Sequence, residues 1–382
     1  MKHNWEYKRL GDVAPSMPYN GIITPNNGKY WCLNLDKIEP NTGAILKYDF
    51  IEESKLNDSV HKFTIGNVLF SKLRPNLNKV IVPDHKGYCT TELVPLLPKS
   101  ILNKYFLAYY LRSPRFVNFL IGKTGGAKMP RVKMDIFWNS SIPVPPREEQ
   151  ERIVAELDKI NEVIDDCREL LRNLDTLAQS IFYDFFGDPI TNPKGWDVSK
   201  VSDNFETGSG GTPSKSNSEF WNSNDIPWIG SNMCQNIVLH KTDGKFISNL
   251  GLQNSSAKLL YPDTLLIALV GATIGKVALL KVSTSTNQNI GFIKPNKNIA
   301  NPIFLFYALQ GLYTLFLSIG NEKFKMANLS FIRDLPIILP PLTLQEKFAE
   351  RIERIDEQKK AVEQTIAELK TLLDSRMDYW FN

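Results

Sequence analysis

The sequence predicts an α+β chain in which two globular modules are separated by a pair of long coiled-coil helices. Three observations carry that expectation: a duplication at a fixed offset, a heptad beat in each copy, and short strand-and-turn patterns between them. The duplication shows first in Ile142-Pro143-Val144-Pro145-Pro146 leading to Gln150-Glu151, and again 195 positions later in Ile337-Ile338-Leu339-Pro340-Pro341 leading to Gln345-Glu346. At the same offset the identities continue through Ile160/Ile355, Glu162/Glu357, Leu174/Leu369, Leu177/Leu372, Ser180/Ser375 and Phe186/Phe381.

The first module, residues 1–145, opens on Trp5-Glu6-Tyr7-Lys8-Arg9-Leu10 and Asp12. Short strands are expected near residues 29–35, 63–73, 78–83 and 92–97, and a helix near 104–119. A basic loop over 122–133 and a short strand then lead to the proline pair. Two prolines before a helix favour extended backbone and keep the helix from starting early.

Residues 146–186 form the first long helix, with Ile153, Leu157, Ile160, Ile164, Cys167, Leu171, Leu174, Ala178, Ile181 and Phe185 alternating by four and three. That is the 3.5-residue period of a coiled-coil seam. The second module, residues 187–340, restarts on Trp196-Asp197-Val198-Ser199-Lys200-Val201 and Asp203. Strands are expected near 228–230, 265–270, 276–280 and 291–294, a helix near 303–317, and a polar loop over 320–328. Residues 341–382 repeat the long helix, with Phe348, Ile352, Ile355, Lys359, Val362, Ile366, Leu369, Leu373, Arg376 and Trp380 on its seam. Two helices with one apolar stripe each are expected to bury those stripes against one another in antiparallel fashion. About 38 residues at about 1.5 Å each make a spacer of roughly 57 Å.

With 382 residues, 42% hydrophobic and 23% charged, the composition is that of a globular protein of two to three domains. The opening residues lack the apolar core of a signal peptide, and no run approaches a membrane span, so a cytoplasmic location is expected. Cys32, Cys89, Cys167 and Cys234 are scattered, which argues against a disulfide framework or a zinc site. Net charge is +9 over residues 1–145, −6 over 146–186, +3 over 187–340 and −2 over 341–382. Basic modules suit a polyanion such as a phosphate backbone, and acidic helices suit protein partners or simple solubility.

Gly211-Thr212-Pro213-Ser214-Lys215, Phe220-Trp221, Ile226-Pro227-Trp228-Ile229, Gly251-Leu252, Gly271-Ala272-Thr273-Ile274-Gly275-Lys276 and Thr286-Asn287-Gln288-Asn289 resemble a target-recognition domain of the type I restriction-modification specificity subunit, HsdS. Residues Gly66-Asn67-Val68-Leu69-Phe70-Ser71-Lys72-Leu73-Arg74-Pro75 and Asn78-Lys79-Val80 resemble another variety of that domain, and the two Pro-Pro-x-x-x-Gln-Glu segments resemble the family's conserved regions. The resemblance spans essentially the whole chain. It implies a non-catalytic subunit whose two domains each read half of an asymmetric bipartite target on double-stranded DNA, with the helices setting the spacer. It also implies docking of two copies of an adenine-N6 methyltransferase subunit (HsdM), with two endonuclease/translocase subunits (HsdR) able to join. The target adenine would flip into the partner's pocket. No cofactor is expected on this chain: S-adenosylmethionine belongs to the methyltransferase partner, and ATP and Mg to an endonuclease partner.

Candidate DNA contacts are basic and amide residues of the expected loops. In the first module these are Lys72, Arg74, Lys79, Lys123, Lys128 and Arg131; in the second, Thr212, Lys215, Asn232, Asn287, Gln288, Lys323 and Lys325. Arg and Lys bond guanine O6 and N7 or hold phosphate, and sequence does not divide those roles. Asn and Gln suit adenine, although Asn287 and Gln288 equally suit turn hydrogen bonding. Catalytic chemistry is not legible. Gly271–Gly275 with Lys276 has one residue too few for a P-loop and no following Ser or Thr, and reads as a strand turn. His3, His61, His85 and His240 are widely spread, and Asn192-Pro193-Lys194 lacks the amino-methyltransferase pattern. Two other readings stay open: a DNA enzyme with an undetected centre, and a two-headed coiled-coil adaptor for proteins or acidic polymers.

Overall fold

The computed structural model describes residues 5–56, 59–124, 129–318 and 326–382. The chain folds into two compact units, one of Met1–Glu169 with Glu363–Asn382 and one of Leu170–Val362. These cut across the four-part division expected from sequence, because each unit takes one module together with part of both long helices.

The long helices are Arg147–Phe186 and Leu342–Phe381, 40 residues each. Glu148 and Glu149 lie in the first turn of the first, where acidic side chains favour the helix dipole. Gly187, in the left-handed conformation at φ 76°, ends that helix by donating its N–H to the Tyr183 carbonyl at 2.8 Å.

The heptad seam is realised inside each unit. In the first, Ile153, Leu157 and Ile164 are buried, with Met377, Trp380 and Phe381 buried opposite. In the second, Leu174 and Ala178 are buried with Phe348, Ile352 and Ile355. Ile160, Cys167, Leu171, Val362, Ile366, Leu369 and Leu373 are half-buried. In the first unit Arg152 lies over the Trp380 ring and Glu156 meets Arg376, and in the second Arg351 lies over the Phe185 ring and Asp175 meets Lys359, so in each unit the two helical segments run antiparallel. Lys359 and Arg376, the two polar interruptions of the stripe, thus both find acidic partners on the first helix. Pairs of this kind at a partly exposed seam contribute about 1 kcal/mol, so burial supplies most of the stability and the charges help fix register.

Each module is closed by its own first and last strands. Glu6–Arg9 pairs antiparallel with Ser141–Val144, and Val198–Lys200 with Pro336–Ile338. Between them the first module carries an antiparallel sheet of Val80–Ile81, Val68–Ser71 and Leu93–Leu96, and a second sheet in which Lys29–Leu33 runs parallel to Gly87–Thr90. The second module repeats this with Val277–Leu280, Leu265–Ala268 and Ile290–Lys294, and with Ile226–Ile229 parallel to Ser285–Thr286.

The repetition extends to register. Leu69 pairs with Ile81 and Val68 with Leu96 in the first module; Leu266 pairs with Ala278 and Leu265 with Ile293 in the second, every partner 197 positions on. Modules that differ strongly in sequence therefore share one scaffold. Val68–Ser71 and Leu265–Ala268 are buried at every position, which is why they read as apolar runs, broken only by Ser71.

Three expected elements differ in detail. The helix near 104–119 is two helices, Lys104–Arg112 and Pro114–Ile121. Pro114 has no N–H to continue the first, and Ser113 turns extended and caps the second through Phe116 N. The helix near 303–317 likewise divides into Pro302–Gly311 and Tyr313–Leu317. The expected strand over 63–73 divides at a turn into Val60–Phe63 and Val68–Ser71.

Module and long helix meet at a buried glutamine. Gln150 is 0% exposed; its Oε1 accepts from Asn103 N at 2.7 Å, and its Nε2 donates to the Ile101 and Pro145 carbonyls, each at 2.8 Å. Gln345 repeats the set with Asn301 N at 2.9 Å, Ile299 O at 3.2 Å and Pro340 O at 2.8 Å. Aromatic packing surrounds both: Phe106 stands edge-on to Phe381, and Phe304 to Phe186. Replacing Gln345 with Ala strands the half-buried Asn301 N–H and removes two carbonyl bonds, so a loss of about 2–4 kcal/mol is expected by urea unfolding. Gln345→Glu, unable to donate to both carbonyls, should lose a comparable amount.

Candidate nucleic-acid interface

In the first unit the chain leaves Val68–Ser71 through a turn clasped against residues 130–132. Lys72 N donates to Glu92 O at 3.0 Å, Arg74 N to Pro130 O at 2.8 Å and Val132 N to Lys72 O at 2.9 Å, while Leu73 bridges Arg131. Lys72, Arg74 and Arg131 are thereby brought onto one ridge. Arg131 is fixed by Glu92, with Nη2 to Oε1 at 2.8 Å and Nε to Oε2 at 3.4 Å. Lys123 is exposed just beyond Pro114–Ile121. Lys79 is placed differently: its Nζ donates to the Leu35 carbonyl at 2.6 Å, and burial pulls its pKa below the usual lysine value. That amine is committed to the fold rather than held out with the others. Lys128 lies outside the described residues.

The second unit gathers amides instead of cations. The loop at Gly211–Ser214 is pinned by two indoles, Trp228 Nε1 to Gly211 O at 3.0 Å and Trp221 Nε1 to Ser214 O at 3.1 Å, whose rings meet edge-on. Gly210 allows the approach, since a Cβ there would lie 2.1 Å from Thr286 Oγ1. Thr212 donates its hydroxyl to Gln288 Oε1. Asn287 serves the turn, its Oδ1 accepting from Asn289 N at 3.1 Å, while Gln288 is exposed. A Cβ built on Gly230 would lie 2.7 Å from Asn232 Oδ1 and 3.5 Å from Asn287 Nδ2, so those amides flank one glycine. Lys215 is exposed in the next loop; Lys323 and Lys325 lie outside the described residues.

Glu92, Trp221 and Trp228 were not among the sequence candidates, although Glu92 holds Arg131 directly and the two tryptophans hold Ser214 and Gly211, the neighbours of Lys215 and Thr212. Gly271–Thr273 is a turn on the way from Leu265–Ala268 to Val277–Leu280, in agreement with the strand-turn reading. Among the described residues no three His, Cys, Asp or Glu gather to hold a metal, and no helix is long and apolar enough to cross a membrane. Cys32, Cys89 and Cys234 are buried; burial pushes the Cys234 thiol up to about 12 and raises the other two, which keeps them protonated at neutral pH.

A scaffold made twice, with different loops on each copy, is the architecture of a two-headed recognition protein. The family model of the type I restriction modification DNA specificity domain matches residues 2–173 and again 193–371, and the chain belongs to that family of specificity subunits. It is 21% identical to the type I restriction enzyme MjaIX specificity subunit of Methanocaldococcus jannaschii, over 97% of this chain and 91% of that one. It is also 21% identical to the HindI specificity subunit of Haemophilus influenzae, over 93% and 94% respectively. A solved structure from work on complex assembly and conformational transition of the type I R-M system shares the fold, with TM-score 0.58 at 22% identity over 98% of this chain and 96% of that one.

Thr212→Val removes the hydroxyl that orients Gln288 without changing the loop's volume much. One net hydrogen bond corresponds to about 0.5–1.5 kcal/mol. Loss of that pre-orientation is expected to lower specific DNA affinity by at most roughly 2- to 13-fold in a filter or anisotropy titration, with a small fall in melting temperature from the same lost bond.

Proposed function

We propose that the chain reads an asymmetric, bipartite DNA target and brings partner enzymes to it, without catalytic chemistry of its own. The observation that carries this is the shared register of the two modules beneath different loop side chains. The first module presents Lys72, Arg74 and Arg131, and the second Thr212, Asn232 and Gln288. Two half-sites read by one scaffold with different contents are an asymmetric target. The excess of positive charge on both modules suits phosphate contacts, which position a reader but do not specify bases.

Partner docking finds support in a duplicated cleft. In the first unit a cleft of about 650 Å³ is lined by Thr42, Tyr109, Arg112, Asn161, Ile164 and Leu373. In the second, one of about 350 Å³ is lined by Val238, His240, Tyr307, Ile352 and Asp356. Tyr109 and Tyr307 hold equivalent places on their helices, as do Asn161 and Asp356 on theirs. Equivalent clefts suit two copies of one partner, the adenine methyltransferase subunit, which would carry S-adenosylmethionine; endonuclease subunits using ATP and Mg would join that assembly.

The deciding experiment maps N6-methyladenine in the DNA of a methylation-free host expressing the methyltransferase with and without this chain. A bipartite, asymmetric motif that needs the chain is the expected result; an active methyltransferase complex that yields no motif favours the adaptor reading. A seven-residue insertion at matched seam positions of both long helices adds about 10 Å. It is expected to lengthen the tolerated spacer by about three base pairs, at 3.4 Å per step, and to leave the half-site bases unchanged.

A further inference from the structure

Superposing the two modules by their shared strand register isolates one place where they carry opposite chemistry. Lys72 N bonds Glu92 O in the first module as Leu269 N bonds Asn289 O in the second, at 3.0 and 2.9 Å. Val132 N bonds Lys72 O as Ala327 N bonds Leu269 O, at 2.9 and 2.8 Å, and Leu73 bridges Arg131 as Val270 bridges Met326. Arg131 and Met326 therefore occupy one backbone position, and Glu92 and Asn289 another beside it. Both side chains point outward: the Arg131 side chain is 55% exposed and Met326 is 64% exposed. The adjoining turn differs as well. Arg74, at φ 51°, stands where the second module has Gly271, at φ 75°. A left-handed backbone suits glycine, so the first module keeps an exposed arginine at a place whose geometry does not favour one.

We propose that Arg131, oriented by Glu92, reads a guanine in the first half-site, and that the second module, with Met326 in its place, makes no such contact. The inference rests on the chain being a DNA reader and assigns the base and the residue within that reading. Its ground is the way the guanidinium is held. Glu92 takes the Nε and Nη2 edge, leaving Nη1 and the second Nη2 proton aimed outward as a two-pronged donor. That fork matches guanine O6 and N7, the paired acceptors of the major groove. A phosphate anchor would be built otherwise. Phosphate attraction depends on net charge, which a carboxylate at 2.8 Å largely offsets, whereas a directional two-bond contact gains from being fixed in advance. Met326 has no donor, and offers an apolar surface of the kind that meets a thymine methyl group.

The test uses the full chain in its methyltransferase complex, with Arg131→Met placing in the first module the side chain that the same scaffold carries in the second. Binding is measured on a set of duplexes varied one base pair at a time. The expected result is a loss of guanine preference at one position of the first half-site, on the order of 10- to 100-fold, with the second half-site unchanged. Glu92→Gln, which keeps the Arg131 charge and removes the acid that offsets it, is expected to lose part of the same preference while non-specific binding and its salt dependence stay at or above wild type. Uniform weakening on all sequences with guanine preference intact would overturn the proposal and make Arg131 a phosphate anchor; so would unchanged preference in both variants. If the wild-type complex itself shows no sequence preference, it is the DNA-reading function that fails.

Discussion

Everything in each unit hangs on a glutamine side chain that water never reaches. A primary amide in a buried site is costly unless its donors and acceptor are satisfied. Gln150 and Gln345 meet that demand by bonding to two pieces of chain at once: the proline carbonyl just before the long helix, and the carbonyl and N–H that flank the cap of the module's own helix. Neither helix can rotate or slide against the other without breaking those bonds. The direction of the long helix is thereby fixed to the module it follows, and the Phe106–Phe381 and Phe186–Phe304 contacts fill the space around that joint.

A consequence appears in how the first unit is completed. Its core includes Met377, Trp380 and Phe381 alongside Leu10, Phe106 and Ile153, so residues more than 350 positions apart share one apolar cluster. Trp5 stacks on Trp380, and Glu156 receives both Arg376 and the Trp380 indole N–H. Contacts at such separation carry a larger loop-closure cost than local ones. In the second unit Leu174, Phe182, Phe304 and Phe348 lie within one continuous stretch of chain, at smaller separations.

The long helices were legible because a seam repeats its signal many times, and one polar interruption does not hide it. Lys359 and Arg376 looked like flaws in the stripe; the acids opposite them belong to the other helix and carry no mark in the sequence. The buried strands were legible because full burial favours apolar runs, whereas the exposed closing strands Glu6–Arg9 and Val198–Lys200 were marked only by the repeated tryptophan openings before them. The break inside 104–119 was signalled by Pro114 but outweighed by the apolar pattern around it, and the break inside 303–317, just after Gly311, has no proline to mark it. Among the candidate contacts, Lys79 was indistinguishable from Lys72 by residue type, and only the carbonyl of Leu35 beneath it separates them. Glu92 was passed over because an acid does not look like a DNA contact until its arginine is seen.

The helices repeat at an offset of 195 but the paired strands at 197, and that difference hid the likeness of the modules. Alignment from the helices alone sets Arg74 against Leu269, and the correspondence with Gly271 disappears. The strand register could not have drifted in step with the loops, because a slip of one residue turns every buried side chain of a strand to the wrong face. The differences in spacing must therefore fall where nothing is paired, in the connections between strands and helices. A left-handed residue such as Arg74 carries on the order of 1 kcal/mol of backbone strain, which a sheet buried at every position can absorb. Rigid pairing below and tolerance in the turns above are one property seen from two sides: the scaffold stays fixed, and what it presents is free to differ between its two copies.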